Sequence, residues 1–218
     1  GFSWGALLNP VEDDINGTVS LTTVGVEDNQ TLTLALNGKS YTNTVTSNST
    51  IVTIPAADLQ DLVDGQAYSV VANIVDAAGN AATQVTSSPF SVDRTSPSIN
   101  AISTTAMTWG ALLNPTEDDS DGTVTVTTIG IEDGQTLTLT LDSKNYTNTV
   151  TGNSTIVTIP AADLQALTDQ QSYTITANVS DAAGNAAAEV TSSSFRVDRT
   201  PPSINAIGTT AFSWGALL

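Results

Sequence analysis

The chain has 218 residues, 22 acidic and 5 basic side chains, and neither cysteine nor histidine, for a formal net charge of −17. That composition excludes disulfides, zinc sites of the usual type, haem, iron–sulfur clusters and every catalytic pair built on histidine. A pI near 4.1 repels phosphate backbones and anionic surfaces, so nucleic acid is excluded as a partner and the fitting ionic partner is a cation.

Hydrophobic residues make up 39%, enough for a packed core, and the abundance of Thr, Val, Ser and Asn favours strands over helices. No stretch approaches the roughly 18 apolar residues of a membrane span, and no basic segment precedes an apolar run at the N-terminus, so no membrane insertion is expected. Trp4, Trp109 and Trp214 recur at a spacing of 105, as do Tyr68 with Tyr173 and Asp93 with Asp198. About 70 of the 105 pairs at that offset are identical, which makes the chain one module written twice.

In chain order, period-two alternation predicts strands near 18–24, 31–37, 41–46, 50–54, 66–75 and 84–92, with another near 98–102 opening the second copy. Inward positions keep apolar volume between copies (Val70 with Ile175, Ile74 with Val179), whereas outward ones do not (Val71 with Thr176, Val75 with Ser180). Pro55-Ala56-Ala57-Asp58-Leu59-Gln60 predicts a short helix after the fifth strand, with Pro at its first position and a stop at Asp64-Gly65. Seven strands in about 100 residues indicate an all-β fold of tandem immunoglobulin-like β-sandwiches. Asp93-Arg94-Thr95-Ser96-Pro97, echoed as Asp198-Arg199-Thr200-Pro201-Pro202, reads as a linker. The expected organisation is then residues 1–96 as a repeat lacking its first strand, 97–200 as a complete repeat, and 201–218 as the first-strand segment of a further one. That tail is expected to supply the missing opening strand to the first repeat of a neighbouring molecule.

The acids gather in turns. The first copy offers Glu12, Asp13 and Asp14 with Asn16, then Glu27 and Asp28, Asp76 with Asn80, and Asp93 in the linker; the second offers Glu117, Asp118, Asp119, Asp121, Glu132, Asp133, Asp181, Asn185 and Asp198. If strands alternate in direction, Glu12, Asp13, Asp14 and Asp93 should meet Glu132, Asp133, Asp181 and Asn185 where the copies join. Carboxylates crowded within a few ångströms repel by roughly 1 kcal/mol per pair even in water. A cation would relieve them, and calcium suits oxygen ligands from carboxylates, Asn side chains and carbonyls. Asp14-Ile15-Asn16-Gly17 and Asp119-Ser120-Asp121-Gly122 also carry the core of a calcium turn, without the acidic residue that closes an EF-hand loop.

Other readings compete. Asp, Asn and Gly form turns in any β-protein, and an acidic surface by itself confers solubility. Asp58 and Asp163 fit the first turn of the short helix, where a carboxylate favours the dipole. Lys39 and Lys144 sit in hairpin turns facing water, unlike the buried lysine that a crosslink to Asn needs. Alternating threonines such as Thr136, Thr138 and Thr140 follow from strand propensity, although a glycan- or ice-binding face is the alternative function to weigh. Paired carboxylates in end loops, with no aromatic groove to hold a sugar, do not suggest an enzyme.

Four motifs in order carry a resemblance: Asn37-Gly38-Lys39-Ser40-Tyr41-Thr42, Val52-Thr53-Ile54-Pro55-Ala56-Ala57-Asp58-Leu59, Asp76-Ala77-Ala78-Gly79-Asn80-Ala81, and Val92-Asp93-Arg94-Thr95-Ser96-Pro97. Together the chain resembles the bacterial immunoglobulin-like repeats of giant repeats-in-toxin adhesins of biofilms, of the large adhesion protein type. It departs from that pattern where Arg94 and Arg199 replace the first threonine of a linker that commonly reads Asp-Thr-Thr-Ala-Pro, and in its Trp-Gly-Ala-Leu-Leu segment. The resemblance implies extracellular extender repeats, exported by a type I system and stiffened by calcium at their junctions. They would have neighbouring repeats as partners and project a ligand-binding tip that this chain does not contain. Similar repeats occur in a bacterial ice-binding adhesin. At 3.4 Å per strand residue, each sandwich would add about 40 Å of reach with its end loops.

Overall fold

The computed structural model describes residues 1–205. Thirteen residues of the tail expected to act as an opening strand, 206–218, lie outside the described residues. The first repeat carries β1 (Leu7–Leu8), α1 (Pro10–Asp13), β2 (Gly17–Thr22), β3 (Thr31–Leu36), β4 (Lys39–Thr44), β5 (Ser49–Ile54), α2 (Ala56–Gln60), β6 (Ala67–Tyr68), β7 (Val71–Asn73), β8 (Val85–Thr86) and β9 (Phe90–Val92). The second opens with β10 (Ser98–Ile99) and a 3₁₀ turn over Thr104–Ala106, then β11 (Leu112–Leu113), β12 (Gly122–Ile129), β13 (Thr136–Leu141), β14 (Lys144–Thr149) and β15 (Ser154–Ile159). It ends with α3 (Ala161–Gln165), β16 (Ser172–Tyr173), β17 (Thr176–Asn178), β18 (Val190–Thr191) and β19 (Phe195–Val197).

Each repeat is a sandwich around its own core. In the first, β2 pairs with β5 in one sheet, while β4, β3, β7 and β8 form the other in that order. Alternation along β3 buries Leu32, Leu34 and Leu36, and β5 sends Val52 and Ile54 inward from the facing sheet. Phe90 fills the centre, with Trp4 edge-on to it at a centroid distance of 5.2 Å and Phe2 stacked on Trp4 at 5.1 Å. Gly17 lies beneath Trp4, where an added Cβ would fall 2.4 Å from the indole; Gly122 and Trp109 repeat the arrangement. At the corner before β6, the Tyr68 hydroxyl accepts from Val63 N at 2.9 Å, and Tyr173 holds Thr168 N in the same way, the tyrosine corner of immunoglobulin-like domains.

The expected strands over 66–75 and 84–92 each divide. β6 pairs with β9 and β7 with β8, and the register slips by one residue between the two ladders. At the slip the Ser87 hydroxyl accepts from Val70 N at 3.0 Å, and Ser87 N donates to Val70 O, so a side chain completes the ladder through a bulge. The bulge hands β9 to β1, which runs parallel to it.

The hairpin turn consists of Asn37 and Gly38 alone, at φ +48° and +76°, so β4 starts earlier than expected and Lys39 belongs to the strand. Its ammonium donates to Asp58 at 2.6 Å and Asp61 at 2.7 Å on α2, and Lys144 donates to Asp163 at 2.5 Å. The short helix forms over Ala56–Gln60 with Pro55 as its N-cap. An additional helix, α1, is set by a capping box: the Asn9 side chain accepts from Glu12 N while the Glu12 carboxylate accepts from Asn9 N.

Candidate functional site

The acidic turns divide between the two ends of each repeat, and one end of the first faces one end of the second. The loop of the second repeat that carries Asp181 and Asn185 is a tight turn. Gly184 sits at φ +90°, Asp181 N donates to Asn185 O, and the Asp181 carboxylate accepts from both the backbone and the side chain of Asn185 at 2.7 and 2.9 Å. Asn185 spends its other amide hydrogen across the seam, donating to the Asp93 carbonyl at 3.0 Å. In return the Asn9 amide donates to the Ala183 carbonyl at 2.7 Å. A small cleft beside these contacts is lined by Trp4, Leu7 and Glu12 from one repeat and by Ala182 and Ala183 from the other.

Charge at this seam is one-sided. Asp93 is half-buried in the linker, and that burial raises its carboxyl above the ordinary value; the Thr95 N–H opposes the rise, and the neighbouring charges of Asp181, Asp64 and Glu132 add to it. The hydrogen bonds these acids accept come from amides and hydroxyls. Asp93 accepts from Thr95 N at 3.1 Å and Glu132 from Ala182 N at 2.9 Å. Asp64 accepts from Arg94 N, Thr95 Oγ1 and Gly65 N, which holds its carboxyl below the usual range, with the Arg94 backbone the largest cause.

All five basic side chains are committed elsewhere. Lys39 and Lys144 face the short helices, Arg196 reaches Gln170, and Arg94 and Arg199 turn inward. The Arg94 guanidinium donates to Asp13 at 2.6 Å and to the Leu62 and Leu59 carbonyls at 2.7 and 2.9 Å. Arg199 does the same with Asp118, Leu167 and Leu164. The arginines that depart from the commoner linker pattern therefore act as fixed internal cations, each capping the end of a short helix and neutralising one buried acid.

The other candidate residues have distinct surroundings. Asp14 accepts from the Gln60 amide, and Asn16 accepts from Ala56 N at the start of α2. Their counterparts Asp119 and Asp121 meet Gln165 and Ala161 N. Asp28 and Asp133 accept from Ser47 N and Gly152 N. Glu27, through Ala77 N, and the Asp76–Asn80 loop occupy the outer end of the first repeat. Glu117 completes the capping bonds with Asn114 at the far end of the second, where Asp198 accepts from Thr200 N and Gln170. Of the eight residues expected at the join, Asp93, Glu132, Asp181, Asn185 and Glu12 stand at it, while Asp13 is drawn inward to Arg94, Asp14 turns toward α2 and Asp133 accepts from Gly152 N within its own repeat.

Two contributors escaped the sequence reading. Asn9 carries a legible signal, since Asn9-Pro10-Val11-Glu12 has the N-cap, Pro and Glu spacing of a capped helix. Asp64 carries none beyond a turn-forming Asp-Gly, because its place beside Asp93 depends on the fold.

The donors at the seam are oxygens, the set that calcium takes. Among the described residues, no three acidic side chains are gathered closely enough to hold a metal ion as they stand. The carboxylates there accept from nearby N–H groups.

No family model matches the chain, and no curated protein matches it. Among solved structures, it is similar to a Ca2+-stabilized adhesin with which an Antarctic bacterium reaches out and binds ice, at 30% identity over 90% of this chain and 47% of that one, with a TM-score of 0.53. A structure concerned with host cell surface retention of a 1.5-MDa bacterial ice-binding adhesin is 29% identical over 89% of this chain and 61% of that one, with a TM-score of 0.49. A bacterial immunoglobulin-like domain from the M. primoryensis ice-binding adhesin is 31% identical over 47% of this chain and 94% of that domain, with a TM-score of 0.33. The chain thus spans about half of the first of these structures and under two thirds of the second.

Proposed function

Because the chain belongs to the bacterial immunoglobulin-like repeats of large adhesins, we propose that it is an extracellular spacer whose repeats are locked into line by calcium at their seam. The observation that carries this reading is the half-buried Asp93, placed among Asp181, Glu132 and Asp64 while every basic side chain is engaged elsewhere. Asp93, Glu132 and Asp181 are the residues that would hold the ion, with Asn185 and Glu12 at the margin. A bound calcium ion would supply the positive charge that the seam lacks.

The protein's own part is orientation. The Asn9 and Asn185 amides join the two repeats, and Arg94 ties the linker to the base of the first repeat, so Asp93 approaches the second from a fixed direction. Without a counter-ion, mutual repulsion favours opening of the seam; with one, the same carboxylates favour closure. A stiff seam repeated along a chain converts flexible linkers into reach, and no catalytic step is part of this role.

Small-angle X-ray scattering with calcium and then with a chelator tests the proposal. The maximum dimension should be longer and the distance distribution sharper with calcium, and Asp93→Asn should abolish most of that difference. Superimposable curves in both conditions would overturn the proposal.

A further inference from the structure

The first repeat contains two Asn-Gly pairs, Asn16-Gly17 and Asn37-Gly38, and the second carries aspartate at both counterpart positions, as Asp121-Gly122 and Asp142-Ser143. An asparagine followed by glycine is open to attack on its own carboxamide by the next backbone nitrogen, because glycine puts no side chain in the way. The fold treats the two pairs differently. The Asn16 carboxamide accepts from Ala56 N at 3.0 Å, and Gly17 pairs with Ile54 beneath Trp4 and Leu59, where an added Cβ would fall 2.4 and 2.9 Å from them. Asn37 and Gly38 instead form the whole turn between β3 and the edge strand β4; both are exposed, and a Cβ on Gly38 would meet nothing within 4 Å.

The second repeat shows that the product fits. Asp142 holds φ +48°, the same angle as Asn37, Ser143 follows at +65°, and the pairing of Leu141 with Lys144 matches that of Leu36 with Lys39. We propose that Asn37 is a site of spontaneous deamidation, through which the turn of the first repeat acquires the negative charge that the second repeat already has there, while the fold shields Asn16. The reaction needs only water. Gly38 N gives up its proton and bonds to Asn37 Cγ, the Cγ–Nδ2 bond breaks, and the departing nitrogen takes up a proton and leaves as ammonia. Water then opens the cyclic imide at either carbonyl, giving aspartate or, where the chain is rerouted through the side chain, isoaspartate; nothing is oxidised or reduced. Aspartate preserves the turn, as Asp142 does. Isoaspartate lengthens the backbone just before Lys39, whose ammonium is held by Asp58 and Asp61 at 2.6 and 2.7 Å. Neither step involves calcium or the seam.

Peptide mapping by mass spectrometry of the 218-residue chain, held in mildly alkaline buffer both folded and in urea, tests this. Asn37 needs only an exposed turn to open, whereas Asn16 needs a bond broken and Gly17 drawn from under an indole, so the ratio of Asn37 to Asn16 conversion should rise at least about tenfold from urea to the folded chain. Gly38→Ser installs the residue that the second repeat places there at a positive φ. It should slow conversion of Asn37 several-fold while the NMR signals of β3 and β4 beyond the turn stay in place. Asn37→Asp should keep those signals too and should match the aspartate product in charge and chromatographic position. Asn37 remaining intact in the folded chain while it converts in urea, an unchanged ratio between the two sites, or undiminished conversion in Gly38→Ser would overturn the inference.

Discussion

Asp76-Ala77-Ala78-Gly79-Asn80 and Asp181-Ala182-Ala183-Gly184-Asn185 are the same five residues in two settings. Their internal geometry matches: Gly79 and Gly184 lie at φ +89° and +90°, and each Asp accepts from the backbone and amide of its Asn at 2.7 to 2.9 Å. Their surroundings do not. Asn80 is exposed, whereas Asn185 is 7% exposed against the base of the first repeat. The turn is therefore a property of five residues, and the seam is a property of two repeats. Asp76 shows what the turn does alone, since the Asn80 amide and backbone hold its carboxyl below the usual range.

The largest expected effect tests the base on which the seam rests. Arg94→Met leaves Asp13 buried and unpaired and strips two helix-end carbonyls of their donor, so the first repeat should lose about 3–5 kcal/mol in urea unfolding. Arg199→Met should cost the second repeat a similar amount, because that cluster is internal to each repeat and indifferent to its neighbour.

The loop comparison itself sharpens with Asn185→Ala beside Asn80→Ala. The first removes buried bonds to Asp93 and Asp181 and should cost about 1–3 kcal/mol, while the exposed counterpart should stay within about 0.5 kcal/mol. Equal losses would mean that the seam adds nothing to the turn.

Protonation should separate the two kinds of acid. The Asp93 carboxyl is raised, so between its unfolded value near 3.8 and its higher folded value the folded chain binds the extra proton. Its unfavourable charge is fully present above the folded value and is relieved as pH falls through that window. Asp64 and Asp76 are lowered, so their support is present above 3.8 and lost as pH falls through their folded values. Carboxyl NMR titration in chelator should place Asp93 above Asp64 and Asp76, and calcium should move Asp93 downward while leaving Asp76 where it is.

The smallest effect concerns the bulge. Ser192→Ala removes the hydroxyl that accepts from Ile175 N at a fully buried position and should cost about 1 kcal/mol; Ser87→Ala, at the half-buried counterpart, should cost less.

Much of the sandwich was legible because alternation is local: Leu32, Leu34 and Leu36 announce the buried face of β3, and Asn37-Gly38 announces its turn. The bulge at Ser87 was not, since apolar spacing runs on through it and only the partner strand reveals the slip. Among the candidate ligands, the polarity of the strands placed Asp93, Glu132 and Asp181 at one end. Nothing local distinguishes Asp13 from Asp14, however. One points inward only because an arginine 81 residues away reaches it, a choice made by tertiary packing.

Among the described residues, the two side-chain bonds that cross the seam both come from carboxamides, which neither titrate nor require an ion. The contact that orients one sandwich on the next is thus held by Asn9 and Asn185 through bonds that stay in place whatever the protonation of the acids around them.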